Sequence, residues 1–592
     1  MTTTVARTTA ILAVTLAGFL AHPHRAAAIP PHVASAYPVA QRVNISANAV
    51  ISVNFDASID PATVNEITFR VFGHWSGPAS GSYNVAVANI TFTPSEPFFA
   101  GEWVTVSLSK GIKSMAGEAL TKGYAWNFWI KTVGTLLDLE YIGRISTREA
   151  NEAVTSYGAY AGDLNNDGWG DLTVINETTN DARVFMNSAG TFSTFTIEGM
   201  TDADVPSPNE MGDFDNDGEI DLVVGQLNNP NVSILFGDGT GDFPDGRKIA
   251  YTTAGGVSSH ARGVGVLDLN GDGWDDIVTA SRNTSNMSIF MNNGDGTFAS
   301  VVAKESGGNG ETSIAIADAN NDGLLDVFCG TFNSPHSIIV LLSDGNGGLT
   351  AQPPVGCGGR PWQLAVGDFN GDGNVDIAAN NTYENRMAVM MGDGLGGLSA
   401  PGHYGVGSFP LAIDAGDIDG DGDLELVSSN YDSGTWTLYE NRFGVFMNPH
   451  TLNSSSSGSC ATLHDRDNDG DLDMTGIDEV DDWIYFFQNE PPVTGVAPVV
   501  ASVTLFQNHP NPFNPTTTIR FELTKSSRVD LSIFDAAGAR VAGLANSVYP
   551  AGTTDVNWNG TDAEGHRVSS GVYFYRLVSG TDVLTRKMVL LK

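Results

Sequence analysis

A nine-residue formula written seven times constrains this chain more than any other feature of it. The copies begin at Asp163, Asp213, Asp268, Asp318, Asp368, Asp417 and Asp465. Positions one, three, five and nine carry carboxylates or amides, so alternate side chains surround one point with oxygen, the ligand type that hard divalent cations take. Position six is Gly in every copy and position four is Asn or Gly, residue types that accept left-handed backbone in a tight bend. Position seven varies freely, as expected where a backbone carbonyl, not a side chain, faces the ion.

Calcium is the natural guest, with up to seven ions, one per loop. The candidate ligands of the first loop are Asp163, Asn165, Asp167, Trp169 and Asp171; of the second, Asp213, Asp215, Asp217, Glu219 and Asp221; of the third, Asp268, Asn270, Asp272, Trp274 and Asp276. The fourth offers Asp318, Asn320, Asp322, Leu324 and Asp326, and the fifth Asp368, Asn370, Asp372, Asn374 and Asp376. Asp417, Asp419, Asp421, Asp423 and Glu425 make the sixth, and Asp465, Asp467, Asp469, Asp471 and Asp473 the seventh. An EF-hand would close with Glu at position twelve, where these loops hold Val174, Val224, Thr279 or Ser428. Position nine instead supplies the last carboxylate and leads into an apolar strand, as in Asp221-Leu222-Val223-Val224. One such cluster is explained by a solvated Asx-rich turn, but seven in frame argue for ligation.

A length of 592 residues calls for about three or four domains. The formal charge of -39 excludes a general nucleic-acid-binding surface. Residues 1–28 read as a secretory signal: Arg7, an apolar run from Ala10 to Ala21, and a small-residue cleavage site at Ala26-Ala27-Ala28. No later stretch reaches about 18 apolar residues, so export without an integral membrane anchor is expected. Cys329, Cys357 and Cys460 are odd in number and lack a metal spacing, so disulfides are not expected to hold the protein together.

Residues 29–132 alternate as strands do, for example Trp103-Val104-Thr105-Val106-Ser107-Leu108 and Trp126-Asn127-Phe128-Trp129-Ile130, which predicts a two-sheet sandwich. Its Trp103, Trp126, Phe128 and Trp129 suggest either a sugar platform or core, and because alternating aromatics in a strand are mostly core they are read as core, with no site claimed there. From 134 to 489 each loop lies between a small-residue strand and a second strand, followed by a third strand, a Gly-rich hairpin such as "VLLSDGNGGL", and a fourth. Four strands in about fifty residues is a propeller blade, and seven units predict seven blades. The last unit stops after Trp483-Ile484-Tyr485-Phe486-Phe487, one strand short, so Leu136–Ile142 is expected to complete it and close the ring. After a linker at 490–502, residues 503–592 form another small all-β domain. The fold class is therefore all-β, a seven-bladed propeller flanked by two immunoglobulin-like sandwiches.

These runs resemble known families. "ISVNFDASIDPATV" and "WNFWI" are similar to bacterial immunoglobulin-like modules, which implies a spacer or adhesive role. The loops and Gly-rich hairpins resemble the FG-GAP or VCBS repeats of integrin-type propellers, which implies calcium in the loops between first and second strands and ligand recognition elsewhere. Glu425 at position nine and Arg466 at position two depart from the pattern, and Arg466 makes the seventh site the weakest expected. "NHPNPFNPTTTIRFEL" and "WNGTDAEGHRVSSGVYFYRL" resemble the FlgD-like immunoglobulin domain and the sorting domain of type IX secretion substrates, which implies secretion machinery as a partner and a place outside the cell or on its surface.

The connections into the first strands contain His260, Arg262, Arg360, Trp362, Tyr404 and Phe409, expected at the channel mouth opposite the metal loops. Such a rim suits a glycan or a peptide, and bulky residues there equally suit a channel plug. No Gly-x-Ser-x-Gly elbow, His-Glu-x-x-His pair or phosphate loop is present. The sequence is thus read as a secreted or surface-attached, non-catalytic, calcium-binding adhesion protein for an extracellular glycan or protein. A secreted polysaccharide-active enzyme using the channel is the alternative.

Overall fold

The computed structural model describes residues 30–149, 152, 154–254 and 260–489, and 503–591 apart from 507, 509, 524, 536–539, 551, 563–564 and 580–581. The expected signal segment and the 490–502 linker lie outside the described residues. The chain divides into two compact units, Met1–Pro491 and Pro492–Lys592.

The first unit opens with a sandwich. One sheet pairs Val33–Tyr37, Ile51–Phe55, Asn89–Pro94 and Gly81–Ala86; the other pairs Arg42–Ile45, Tyr124–Ile130, Trp103–Leu108, Phe69–Gly73 and Gly77–Pro78. Alternation sends Val104, Val106, Leu108, Trp126 and Phe128 into the core between the sheets. Trp103 and Trp129 lie on the opposite face, where they stack on each other at 5.5 Å and pack against the propeller. Reading these two as sandwich core is therefore corrected: strand parity puts residues 127 and 129 on the face away from 126 and 128.

The propeller follows. Its inner strands are Ser156–Gly162, Pro206–Gly212, Ala261–Leu267, Glu311–Ala317, Pro361–Gly367, Pro410–Gly416 and Gly458–His464, one per blade. Each packs against the next, and the seventh against the first, so the ring is closed. Every second strand begins on position nine of its loop, from Asp171–Asn176 in blade one to Asp473–Asp478 in blade seven. Third and fourth strands complete each sheet.

Blade seven takes its outer strand from the other end of the chain. Leu139–Ser146 pairs antiparallel with Trp483–Asn489, from Leu139 opposite Asn489 to Ser146 opposite Trp483, with a register shift between Tyr141 and Gly143. The expected closing strand is present, shifted about four residues towards the C-terminus because Leu137 adopts a positive φ of 58° just before it. All three cysteines are free and buried.

The second unit is again two sheets. One pairs Val503–Leu505, Thr517–Leu523 and Gly552–Trp558; the other pairs Arg540–Tyr549, Ser527–Asp535, Gly571–Ser579 and Asp582–Leu590. Ile519, Phe521, Leu531, Ile533, Trp558 and Tyr575 fill the space between them.

Trp436 joins blades six and seven. It is wholly buried, its indole packs on Tyr485 and Phe487, and its Nε1 donates to the Cys460 carbonyl at 2.7 Å. Trp436→Ala should cost about 3–5 kcal/mol, whereas Trp436→Phe should lose roughly the one hydrogen bond, about 1 kcal/mol. Urea unfolding of the calcium-loaded protein measures both, and equal losses for the two variants would contradict this account of the junction.

Candidate functional site

The metal loops are built by their own backbone. Position four carries positive φ, at 57° for Asn166 and 72° for Gly371, and position six does so in every loop, from 80° at Gly323 to 98° at Gly273. That bend turns the peptide N–H groups inward. In the first loop Asp163 accepts from the N–H of Asp167 at 3.0 Å and of Gly168 at 2.9 Å, and Asp167 accepts from Trp169 at 2.9 Å. The position-five acceptor bond recurs in all seven loops, for example Leu324 to Asp322 and Asp471 to Asp469.

Position nine has a second role that the sequence reading did not find. Asp171 accepts from the N–H of Leu164 at 3.1 Å through one oxygen and from Asn187, at the end of the third strand, at 2.7 Å through the other. The third-strand bond recurs with Gly237 on Asp221, Asn292 on Asp276, Ser343 on Asp326, Gly392 on Asp376, Asn441 on Glu425 and Asn489 on Asp473. This carboxylate clamps the loop to its blade, and each of its oxygens keeps a lone pair. The Asn at that third-strand position also reaches the neighbouring blade: Asn292 Nδ2 donates to the Phe214 carbonyl at 2.7 Å and Asn489 Nδ2 to that of Ile418 at 2.9 Å.

Three loops bring carboxylate oxygens within 4.8 Å of one another: Asp213, Asp215 and Asp221; Asp417, Asp419 and Glu425; Asp465, Asp467 and Asp469. The other four have Asn at position three, Asn165, Asn270, Asn320 and Asn370, so an amide oxygen replaces one carboxylate there. Asp213 Oδ1, Asp215 Oδ1, Asn370 Oδ1, Asp465 Oδ1, Asp467 Oδ1 and both Asp471 oxygens are buried without a hydrogen-bond donor. Buried, convergent, undonated oxygens fit a hard divalent cation.

Cationic side chains reach the second, third, fourth and seventh loops. Arg466 of the seventh places Nη2 3.3 Å from Asp467 and Nε 3.6 Å from Asp473. Arg247, from a short turn ahead of the outer strand of blade two, contacts Asp215 and also Asp217 at 2.9 Å. Lys122 lies 3.3 Å from Asp322. Only Arg466 was legible from the repeat, because Arg247 and Lys122 come from segments outside it.

The sandwich is seated on the loops. The N–H of Lys110 donates to the Gly271 carbonyl at 2.7 Å, that of Ala125 to Gly323 at 2.6 Å, that of Val133 to Gly470 at 2.6 Å and that of Thr135 to Asp419 at 3.0 Å, while Asp163 donates to Trp75 at 2.7 Å. Arg70 bridges Asp275 at 2.8 Å and lies 4.0 Å from Asp213. One end of the channel is thereby covered.

The other mouth holds Arg262, Trp362 and Tyr157, with Trp362 Nε1 donating across the ring to Tyr157 at 2.7 Å. Beside it Arg282 stacks on Phe332 at 3.9 Å, Arg360 stacks on Tyr383 at 4.5 Å, and Phe409 meets Tyr383. His260 hydrogen-bonds Asn283. Tyr404 is corrected: it belongs to the outer strand Gly402–Gly405 and packs on Tyr439 and Phe446, because the turn into the next inner strand begins only after it.

Four-stranded blades around a channel, with acidic loops between first and second strands that could hold a metal ion, define an acidic-loop type of β-propeller. An FG-GAP-like repeat model matches residues 163–224, 213–279, 268–329, 318–379, 368–428 and 417–476, each match running from one loop through the strand after the next. The chain belongs to the FG-GAP-like repeat family. Residues 27–129 match a bacterial Ig-like domain and 509–582 a FlgD Ig-like domain. Comparison with curated protein sequences gives no match. Similar solved structures include a lectin of Agrocybe aegerita described as recognising non-reducing terminal N-acetylglucosamine, at 18% identity, 53% of this chain, 84% of that one and TM-score 0.38. Another is PorZ, a surface component of the type-IX secretion system of Porphyromonas gingivalis, at 12% identity, 95% and 75% coverage and TM-score 0.34. A third is a periplasmic gluconolactonase of Pseudomonas aeruginosa, at 13% identity, 64% and 96% coverage and TM-score 0.37. Likeness at this level bears on no site.

Burial, with neighbouring carboxylates adding to it, pushes Asp171 up to about 7 and Asp276 and Asp376 up to about 8. These values lie above those of the unfolded chain, so without cation the native state holds extra protons between about pH 4 and 8. Stability of the chelated protein is therefore present at low pH and lost as pH rises through that window. Melting in EDTA should fall from pH 5 to pH 8 while melting in calcium changes little, so that the calcium-induced shift is larger at pH 8. A chelated protein that melts higher at pH 8 than at pH 5 would refute the sign. Arg466→Leu, which frees Asp467 and Asp473, should tighten the weakest site in a calcium titration by roughly tenfold.

Proposed function

We propose that this is a non-catalytic, calcium-stabilised binding protein of the cell exterior, with calcium held through positions one, three, five, seven and nine of each loop, position seven by its carbonyl. Its ligand is an extracellular glycan or protein taken at the propeller mouth away from the loops. The observation that carries this reading is the seating of the sandwich on the loop face, which leaves the Arg262–Trp362 mouth as the accessible concave surface. Arginine beside aromatic rings is the usual chemistry of such recognition. The FlgD Ig-like domain supports a second part of the reading, that the chain leaves the cell by type IX sorting through its C-terminal unit. Among the described residues no helix is long and apolar enough to cross a membrane.

A polysaccharide-active enzyme is the second reading, and Glu210 is the residue that favours it, a channel carboxylic acid that burial pushes up to about 8. Its neighbour Asp414 accepts backbone N–H bonds from Ala415 and Leu463 on its two oxygens, which makes a poor second catalytic carboxylate. Capture on glycan and matrix-protein arrays tests the binding reading. Arg262→Ala with Trp362→Ala should abolish capture and leave the calcium-dependent melting temperature unchanged. Depolymerisation of a polysaccharide by the wild-type protein, abolished in Glu210→Gln, would replace binding with catalysis.

A further inference from the structure

The covered end of the channel is not filled. One cavity of about 360 Å³, within the range of small-ligand pockets, runs through the channel from the Arg262–Trp362 mouth to the sandwich, and its sandwich end forms a chamber. Its floor is the outer face of the sandwich sheet, with Trp103 opposite Trp129 and Thr105 opposite Asn127 across two paired strands. Its walls are the inner strands. Gln363, on one of them, is exposed although it lies on the innermost strand of its blade.

Polar atoms without hydrogen-bond partners collect in this one cavity. Trp103 Nε1, Trp129 Nε1 and Asn127 Oδ1 are buried and unpartnered on the floor, Asn209 Nδ2 and Ser313 Oγ on the wall, and Arg262 Nε at the mouth. Trp129 is 6% exposed and Asn127 is 2% exposed. A buried donor or acceptor left unpaired is costly, so the set that meets at the floor calls for a partner. Donors and acceptors are mixed, which suits hydroxyl groups, since each hydroxyl both donates and accepts. The floor end has no free cation to receive an anion, because Arg70 at its edge is paired with Asp275 and Arg262, the other arginine of the cavity, lies at the mouth. A phosphate or carboxylate ligand would find no counter-charge at the floor.

We propose that this chamber, with its floor supplied by the N-terminal domain, binds the terminal sugar residue of a neutral glycan. The inference rests on the binding function given above and adds a second, deeper subsite to the mouth. The chamber is blind at the sandwich end, so only a chain terminus fits it. Access is through the part of the mouth before blades two to four, because the Trp362–Tyr157 hydrogen bond spans the ring from blade five to blade one.

Calorimetry of the full, calcium-loaded protein with methyl glycosides of neutral hexoses and N-acetylhexosamines, followed in parallel by tryptophan fluorescence, tests the proposal. Saturable binding of a neutral glycoside is expected, weakened about tenfold or more in Trp129→Phe, which keeps a large ring and removes the N–H. Asn127→Ala should weaken it similarly, with calcium-dependent melting of both variants reporting that the fold is retained. No glycoside binding, equal binding by wild type and both variants, or preference for an amine or a uronic acid would each overturn the chamber. If Arg262→Ala abolishes polymer capture on arrays while no glycoside binds, the chamber falls and the mouth reading stands; absence of any capture by the wild-type protein removes both.

Discussion

The structure depends on burying carboxylates where hydrocarbon would be cheaper. Position nine of every loop is at most 1% exposed, and it opens the second strand of its blade. In the first six loops its two oxygens take backbone N–H groups from the third strand and from position two, so loop, second strand and third strand meet on one side chain, whereas Asp473 of the seventh takes only the third-strand N–H. Such bonds to a charged acceptor are stronger than neutral ones, but they do not cancel the charge. Asp213, Asp215 and Asp221 meet in one loop, and Asp465, Asp467 and Asp469 in another. Counter-charge is therefore a condition of the fold. Arg466 and Arg247 supply part of it from the chain itself, and a divalent cation at these oxygens would supply the remainder.

The same loops also carry the domain that precedes them. Gly323 has no side chain to separate its peptide from Tyr124, and a Cβ there would lie 2.2 Å from that ring. The glycine needed for the bend is thus also needed for the close approach of the sandwich. Gly273 repeats the case against the Ile67 carbonyl at 2.3 Å. Since the carbonyls of Gly323, Gly470 and Asp419 accept the bonds of the sandwich and its connector, any change in loop shape is passed to the seat of the N-terminal domain. A spacer, which the resemblance of this domain implied, would not be expected to spend its backbone on another domain's loops.

Much of this was legible in the sequence, and what was missed has identifiable causes. The loops announced themselves because nearly every position is forced, by φ at positions four and six and by oxygen chemistry at one, three and five. The clamp at position nine was hidden because its partner is a backbone N–H, carried by Gly in blades two and five and by Asn or Ser elsewhere, and no residue type marks it. Trp103 and Trp129 were placed in the core on the general tendency of aromatic residues, although parity along Trp126-Asn127-Phe128-Trp129 already assigned 126 and 128 to one face and 129 to the other. What parity cannot supply is what covers the second face. Tyr404 was misplaced for a related reason, since the length of the turn between an outer strand and the next inner one varies from blade to blade.

The position of the N-terminal domain follows from where a closed ring is weakest. Blades one to six each draw their four strands from one continuous segment, whereas blade seven joins Leu139–Ser146 to Trp483–Asn489 across more than three hundred residues of sequence. Closing so long a loop costs more entropy than closing a blade from local chain. The connector that delivers the closing strand is pinned on its way: Thr132 Oγ1 donates to the Asp417 carbonyl at 2.8 Å, Thr135 Oγ1 to Ile418 at 3.0 Å and the Val133 N–H to Gly470. Leu137 and Leu139 then enter the cluster formed by Ile418, Trp436, Leu472 and Phe487. Each contact made by the sandwich on loops six and seven therefore places the closing strand beside the edge it must pair, so that domain docking and ring closure support each other at the joint where the propeller would otherwise open first.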